Sequence, residues 1–241
     1  MSNTVAVAVR DSGDVALVDV GWSAALCADP VGILGRVRAA SLSVVARAGN
    51  AVVDQLRALG IEASRVKHIL ATHFHLDHIG GASDFPNAEV LCTARELAAY
   101  HGFPRDLGYR TEDLARTSRI RAIGLDAGPT YGFPASADVY GDGEVVLLDA
   151  RGHTPGHVAV ALRTRDRCFV HVGDAVYQSW EYGLSPGGPS LTARVTSWRT
   201  KELKQTYARL RSCEVDPRKP TIVPSHDMTI FDRLPHAPTA V

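Results

Sequence analysis

Residues 72–78 read THFHLDH, and no other stretch constrains this chain as strongly. His73, His75, Asp77 and His78 put three imidazoles and one carboxylate within six positions. In an extended segment residues i and i+2 point the same way, so His73 and His75 can address one point. Asp77 and His78 follow where the chain turns, and can address a second point nearby. Gly80 and Gly81 would then let the backbone turn sharply. Neutral imidazole and carboxylate suit zinc, and also iron or manganese. A chance cluster on a polar loop is the alternative; four ligand-type residues in this register, in a chain with ten histidines, argue against it.

One loop cannot complete a tetrahedral or five-coordinate site, so further ligands are expected at strand ends, where scaffolds hold functional groups. His153 follows the strand-like EVVLLDA in RGHTPGH, Asp174 ends CFVHVGD, and His226 follows TIV in PSHD. His157 begins a strand and His171 lies within one, which suits supporting or packing roles better than direct ligation. Cys27, Cys92, Cys168 and Cys213 are scattered and form no CxxC pair, so neither a zinc knuckle nor a redox dithiol is indicated. Cys168 reads as a buried small hydrophobe.

The intervening pattern predicts a layered α/β chain. TVAVAVR-DSGD-VALVDVG reads as an opening hairpin. AVVDQLRALG reads as a helix stopped by Gly60, RVKHILATH as a strand entering the histidine loop, and AEVLC as a further strand. Thr93-Ala94-Arg95-Glu96 is a capping-box pattern opening a helix. Between Gly102 and Asp138 the pattern weakens to a helix-and-loop insertion, with RTEDLARTSRI as its helical part. Strands return at 144–150, 157–164 and 167–174, a long polar helix is expected from Thr192 to Leu210, and PTIVPSHD ends in a short strand. Hairpins recur and no glycine-rich phosphate loop is present, so a four-layer αββα sandwich fits better than one doubly wound sheet. Residues 1–241 are expected to form a single domain carrying the insertion at 102–138.

HFHLDH, GHTPGH, GDAVY and the late SHD together resemble the metallo-β-lactamase superfamily, in the right order over nearly the whole chain. The resemblance implies two adjacent sites for divalent cations, zinc foremost, with iron, manganese or cobalt as alternatives. It assigns His73, His75, His153 and Asp174 to the first metal. Asp77, His78, Asp174 and His226 go to the second, with Asp174 bridging. Where the family's opening strand ends in Asp-Thr-Gly, this chain has Asp19-Val20-Gly21, a departure that removes no ligand.

Two cations about 3.5–4 Å apart turn a shared water into a hydroxide nucleophile at neutral pH. Such a centre opens esters, thioesters, lactones, amides or phosphodiesters. Tyr177, three residues after Asp174, matches a tyrosine of the N-acyl-homoserine lactone lactonases, where it would meet the lactone carbonyl. Packing of that tyrosine on a sheet edge is the competing reading. Asp77 would bind metal and pass a proton to the leaving alkoxide. The expected function is therefore lactone hydrolysis of the quorum-quenching kind. A glyoxalase II-like thioesterase or other ester hydrolase is the alternative, although RKP at 218–220 is the only basic cluster in the C-terminal part available for glutathione. A mononuclear iron dioxygenase acting on persulfides also carries HxHxDH and uses fewer ligands.

With 26 basic and 26 acidic residues among 241, the chain lacks the basic excess that nucleic acid or anionic membrane requires. No apolar run is long enough to span a bilayer, and the N-terminus lacks the features of a signal peptide. A cytoplasmic enzyme with a small-molecule lactone or other ester as its partner is expected, and a homodimer is compatible with the sequence. Trp22, Phe103, Tyr131, Phe133 and Trp180 are aromatic candidates for an acyl pocket or for ordinary packing.

Overall fold

Val15–Val18 (VALV) is buried at every position, the mark of a strand covered on both faces. It is β2 of a computed structural model that describes residues 3–41, 46–102, 108–109, 119–183, 188–231 and 234. β1 (Ala6–Val9) pairs antiparallel with β2, which confirms the opening hairpin. β2 runs parallel to β3 (Val66–Leu70), and β3 parallel to β4 (Glu89–Thr93). β5 (Ile120–Ile123) completes a mixed sheet of order β1-β2-β3-β4-β5.

A second five-stranded sheet has the order β10-β9-β8-β7-β6. Its strands are β6 (Ser136–Asp138), β7 (Val145–Asp149), β8 (Val158–Arg163), β9 (Cys168–Gly173) and β10 (Thr221–Pro224). β6 to β9 are antiparallel neighbours, and β10 joins β9 in parallel. The β-branched runs VVLLD and VAVALR form the buried middle of this sheet.

The helices are α1 (Ala24–Ala28), α2 (Pro30–Leu34), α3 (Arg36–Ser41), α4 (Val52–Ala58), α5 (Leu76–Ile79) and α6 (Ala94–Gly102). They continue as α7 (Trp180–Gly183), α8 (Leu191–Val195), α9 (Thr200–Glu214) and α10 (Met228–Phe231). On α9, Leu203, Thr206, Tyr207, Leu210 and Cys213 are buried at three- and four-residue spacing, giving one apolar stripe. The chain divides into two compact units. One takes Met1–Leu91, Pro104–Arg121 and Leu234–Val241; the other takes Cys92–Phe103 and Ala122–Arg233. The second unit's core gathers Phe133, Leu148, Val170, Val172, Leu203, Tyr207 and Leu210.

Two expectations are corrected. The helix expected from Thr192 to Leu210 is two helices, α8 and α9, broken at residues 196–199. Thr192 O accepts both Thr196 N–H at 3.0 Å and Thr196 Oγ1 at 2.9 Å, and the Ser197 hydroxyl donates to Ala193 O, so these side chains close the last turn of α8. The amides of Trp198 and Arg199 then donate to His153 O at 2.8 Å and Gly152 O at 3.1 Å. The break therefore fastens α8 and α9 to the loop carrying His153.

Second, the stretch from 102 to 138 holds two short strands, β5 and β6, where the pattern pointed to helix and loop. Residues 110–118 of its proposed helix and Phe103 lie outside the described residues. At Gly80 and Gly81, where a sharp turn is expected, the chain tightens into a 3-10 turn, Gly80–Asp84. A Cβ on Gly81 would come within 2.7 Å of Val20 O, so what this glycine supplies is close approach of two backbones. Its N–H donates to Gly21 O at 2.8 Å.

Candidate metal centre

In the first unit, β3 leads through Ala71 and Thr72 into the histidine segment, with Phe74 fully buried between His73 and His75. The His73 and His75 rings meet edge to face at 4.5 Å, as the i, i+2 spacing predicts. His75 precedes α5, which carries Asp77 and His78 on a single turn; His78 Nε2 stands 3.9 Å from Asp77 Oδ2. Ligand atoms of His73 and His75, of His73 and His78, and of Asp77 and His78 lie within 4.8 Å of each other. All four predicted residues of this half come together.

What orients them is Asp19, which the sequence marks only as part of the Asp19-Val20-Gly21 departure from a family pattern. Its carboxylate accepts from Thr72 N–H, from Thr72 Oγ1 and from His78 Nδ1, each at 2.8 Å. A carboxylate only accepts here, so His78 carries its hydrogen on Nδ1 and offers Nε2 to a metal. Thr72 spends its hydroxyl hydrogen on Asp19, so its oxygen receives His73 Nδ1–H at 3.0 Å. His73 is thereby set in the same tautomer, a carboxylate-to-histidine support usual behind metal ligands. Asp19 adopts φ 58°, a left-handed conformation that aspartate tolerates better than most residues. Tyr109 packs edge to face on His75 at 5.0 Å, another contact the sequence did not signal.

In the second unit, His153, Asp174 and His226 stand at the ends of β7, β9 and β10, as expected. All three are nearly buried; Asp174 is 5% exposed. Asp174 turns its two oxygens to different histidines: Oδ2 is 3.6 Å from His153 Nε2 and Oδ1 is 3.1 Å from His226 Nε2. Two ligands each about 2.0–2.1 Å from one tetrahedral ion stand roughly 3.3 Å apart. Both separations lie close to that value, and one carboxylate serves both. The donor set of imidazole and carboxylate thus fits divalent metal on each side of Asp174.

His157 acts through Asp174: its Nε2 accepts the Asp174 N–H at 3.2 Å, the supporting role expected of it. His171 is buried in β9. The capping box at Thr93 forms its Thr93 Oγ1 to Glu96 N–H bond at 3.1 Å. Glu96 has a further use, because its carboxylate accepts from Thr154 Oγ1 at 2.6 Å and Gly156 N–H at 3.1 Å. It pins the GHTPGH loop to α6. Gly152, at φ 140°, permits that loop to lie on α9, where a Cβ would sit 2.4 Å from Leu203 N and Cα. Gly152→Ala is expected to destabilise the fold by about 3 kcal/mol, from backbone strain plus overpacking. Thermal unfolding should read this as a fall of roughly 6–12 °C in midpoint.

Tyr177 stacks on His226 at 5.6 Å and meets His153 edge to face at 6.0 Å. Its phenol lies 3.0 Å from Thr196 Oγ1. Thr196 donates to a carbonyl, so the Tyr177 O–H is the donor of this pair. Asp227, beside His226, accepts from the backbone and hydroxyl groups of Ser179 and Thr229. Burial opposes its ionisation, but these bonds outweigh burial and hold its pKa at about 2. Of the aromatic candidates, Tyr131 and Phe133 belong to the core, and Trp180 is largely exposed. All four cysteines are buried thiols. Among the described residues no helix is long and apolar enough to cross a membrane.

Comparison with known proteins agrees with this chemistry. A probable metallo-hydrolase of Mycobacterium tuberculosis is 38% identical over 174 residues, which are 70% of this chain and 55% of that protein. An N-acyl homoserine lactonase of Azorhizobium caulinodans is 29% identical across 92% of this chain and 81% of its own length. Among solved structures, an N-acyl homoserine lactone hydrolase with N-hexanoyl-L-homoserine at its catalytic metal centre superposes with a TM-score of 0.73. That match is 18% identical and covers 96% of this chain and 83% of the other, so the likeness is one of fold. The metallo-beta-lactamase superfamily pattern matches residues 1–226, and the chain belongs to that superfamily.

Proposed function

We propose that this protein is a metal-dependent hydrolase, that residues 1–241 form a single metallo-β-lactamase-like domain carrying a two-metal centre, and that it opens N-acyl-homoserine lactones. His73, His75, His153 and Asp174 would hold one cation; Asp77, His78, Asp174 and His226 would hold the other. Zinc fits these donors, as do iron, manganese and cobalt. The observation that carries the proposal is Asp174, whose two oxygens each stand at ligand-to-ligand distance from a different histidine.

When bound, the pair of cations supplies a hydroxide nucleophile at neutral pH and Lewis acidity toward the carbonyl. The chain's own groups manage the rest. Asp19 and Thr72 keep His73 and His78 in the ligating tautomer. Tyr177 rests with its O–H on Thr196 and turns that hydrogen to the lactone carbonyl oxygen as charge develops there. As the nucleophile's oxygen bonds to the carbonyl carbon the ring C–O bond would break, and Asp77 would take the nucleophile's remaining proton and pass it to the leaving alkoxide. The lactonase relatives, aligned over 92% of this chain, support the choice of a lactone over other esters.

Tyr177→Phe tests the substrate-facing role. It is expected to lower lactone turnover by about 100-fold, as loss of one oxyanion donor does, with bound metal unchanged. The substrate class is tested by pH-stat assay of N-hexanoyl homoserine lactone, S-lactoylglutathione and a phosphodiester, alongside a metal count. Turnover of the thioester with none of the lactone would overturn the lactonase reading.

A further inference from the structure

The backbone of Tyr177 is held by two residues that the hydrolytic chemistry leaves unused. Its N–H donates to Glu181 Oε2 at 3.0 Å, and the same oxygen accepts the Tyr207 O–H at 3.0 Å. Glu181 is 2% exposed and Tyr207 1%, so water cannot replace either bond cheaply. Tyr207 sits on the buried stripe of α9 with Leu203 and Leu210. A phenylalanine would fill that place as well; what the hydroxyl adds is its bond to Glu181. Burial, and then the neighbouring Glu181 carboxylate, push the Tyr207 phenol well above its ordinary value, so it remains a donor.

Residues 178 and 179 are fastened elsewhere. Gln178 Nε2 donates to His226 O at 3.1 Å, and Ser179 N–H donates to Asp227 Oδ2 at 2.8 Å. Those bonds hold the segment to the His226 loop. The bond through Glu181 ties residue 177 itself to a fifteen-residue helix packed in the core.

We propose that Glu181 and Tyr207 are positioning residues for Tyr177, a buried carboxylate–phenol clamp that carries the rigidity of α9 to the residue meeting the substrate. The proposal rests on the reading of Tyr177 given above. Its consequence follows from geometry: a misplacement of about 1 Å at a reacting group can cost about 100-fold in rate.

The test uses the full metal-loaded chain. Tyr207→Phe is expected to speed hydrogen exchange of the Tyr177 amide by about tenfold, since the amide's acceptor loses its second anchor. On the lactone substrate it should lower kcat by about tenfold while KM and metal content stay unchanged. In a Tyr177→Phe background the same change should alter kcat by less than about twofold, because the residue it positions no longer has its hydroxyl. Equal losses in both backgrounds would refute the clamp and leave the role of Tyr177 intact. If Tyr177→Phe itself turns over like the parent, the substrate-facing role fails. Amide exchange then judges the clamp alone, and unchanged exchange refutes it. Glu181→Gln keeps an acceptor for the Tyr177 N–H and should shift both readouts in the same direction by less. It decides the matter should Tyr207→Phe fail to fold.

Discussion

Replacing Asp174 with alanine is expected to leave the chain holding no more than one metal ion, against the two proposed for the parent, and to cut the proposed lactone hydrolysis by at least about 1,000-fold. That magnitude corresponds to the several kcal/mol of charge stabilisation that a metal supplies. Elemental analysis after dialysis and a pH-stat assay measure the two effects. The reason lies in how Asp174 divides its oxygens, Oδ2 toward His153 and Oδ1 toward His226. No other residue of the second unit's triad can serve both sides, so its loss removes a ligand from each proposed site at once. The fold should survive, because the position of residue 174 is fixed by its backbone N–H on His157 Nε2, which alanine keeps. Asp174→Asn retains one oxygen and is expected to lose less. Two ions per chain in the alanine variant would sink the bridging role.

The candidate ligands were legible in the sequence because each is chemically conspicuous and stands where a strand ends. His73-x-His75-x-Asp77-His78 declares itself by spacing, and His153, Asp174 and His226 by the apolar runs before them. The residues that support them were not legible. Asp19 lies 53 residues from Thr72 and 59 from His78, and nothing local marks it as their partner. Glu96 is legible as part of a capping box, of which the Thr93 Oγ1 to Glu96 N–H bond forms, while its carboxylate bonds to Thr154 and Gly156 across 58 and 60 residues. The same reason explains the single helix expected at 192–210. Its break is fixed by the carbonyls of Gly152 and His153, far back in the chain. β6 escaped notice because Ser-Ala-Asp carries none of the branched or aromatic residues that signal a strand. Periodicity reports which face is buried; it says nothing of which distant carboxylate arrives there.

Asp19→Asn is expected to weaken metal binding by about 10- to 100-fold, the usual cost of losing the partner behind a ligating histidine. Asparagine is as much at home as aspartate at φ 58°, so the backbone carries no new strain. The change falls on hydrogen-bond polarity. Three donors now converge on the carboxylate: Thr72 N–H, Thr72 Oγ1 and His78 Nδ1. With the amide oxygen on Thr72 N–H, the NH2 group faces Thr72 Oγ1 and His78 Nδ1, and donor meets donor. His78 escapes by moving its hydrogen to Nε2, the nitrogen that would bind metal. Thr72 loses the acceptor that aligned its oxygen toward His73, so the second histidine is unsettled as well. Because His73 and His78 belong to different proposed sites, both ions should bind less tightly. Competition against a chromophoric chelator, starting from metal-free protein, measures the loss. An unchanged affinity in a folded variant would mean that Asp19 shapes the loop without setting the tautomers.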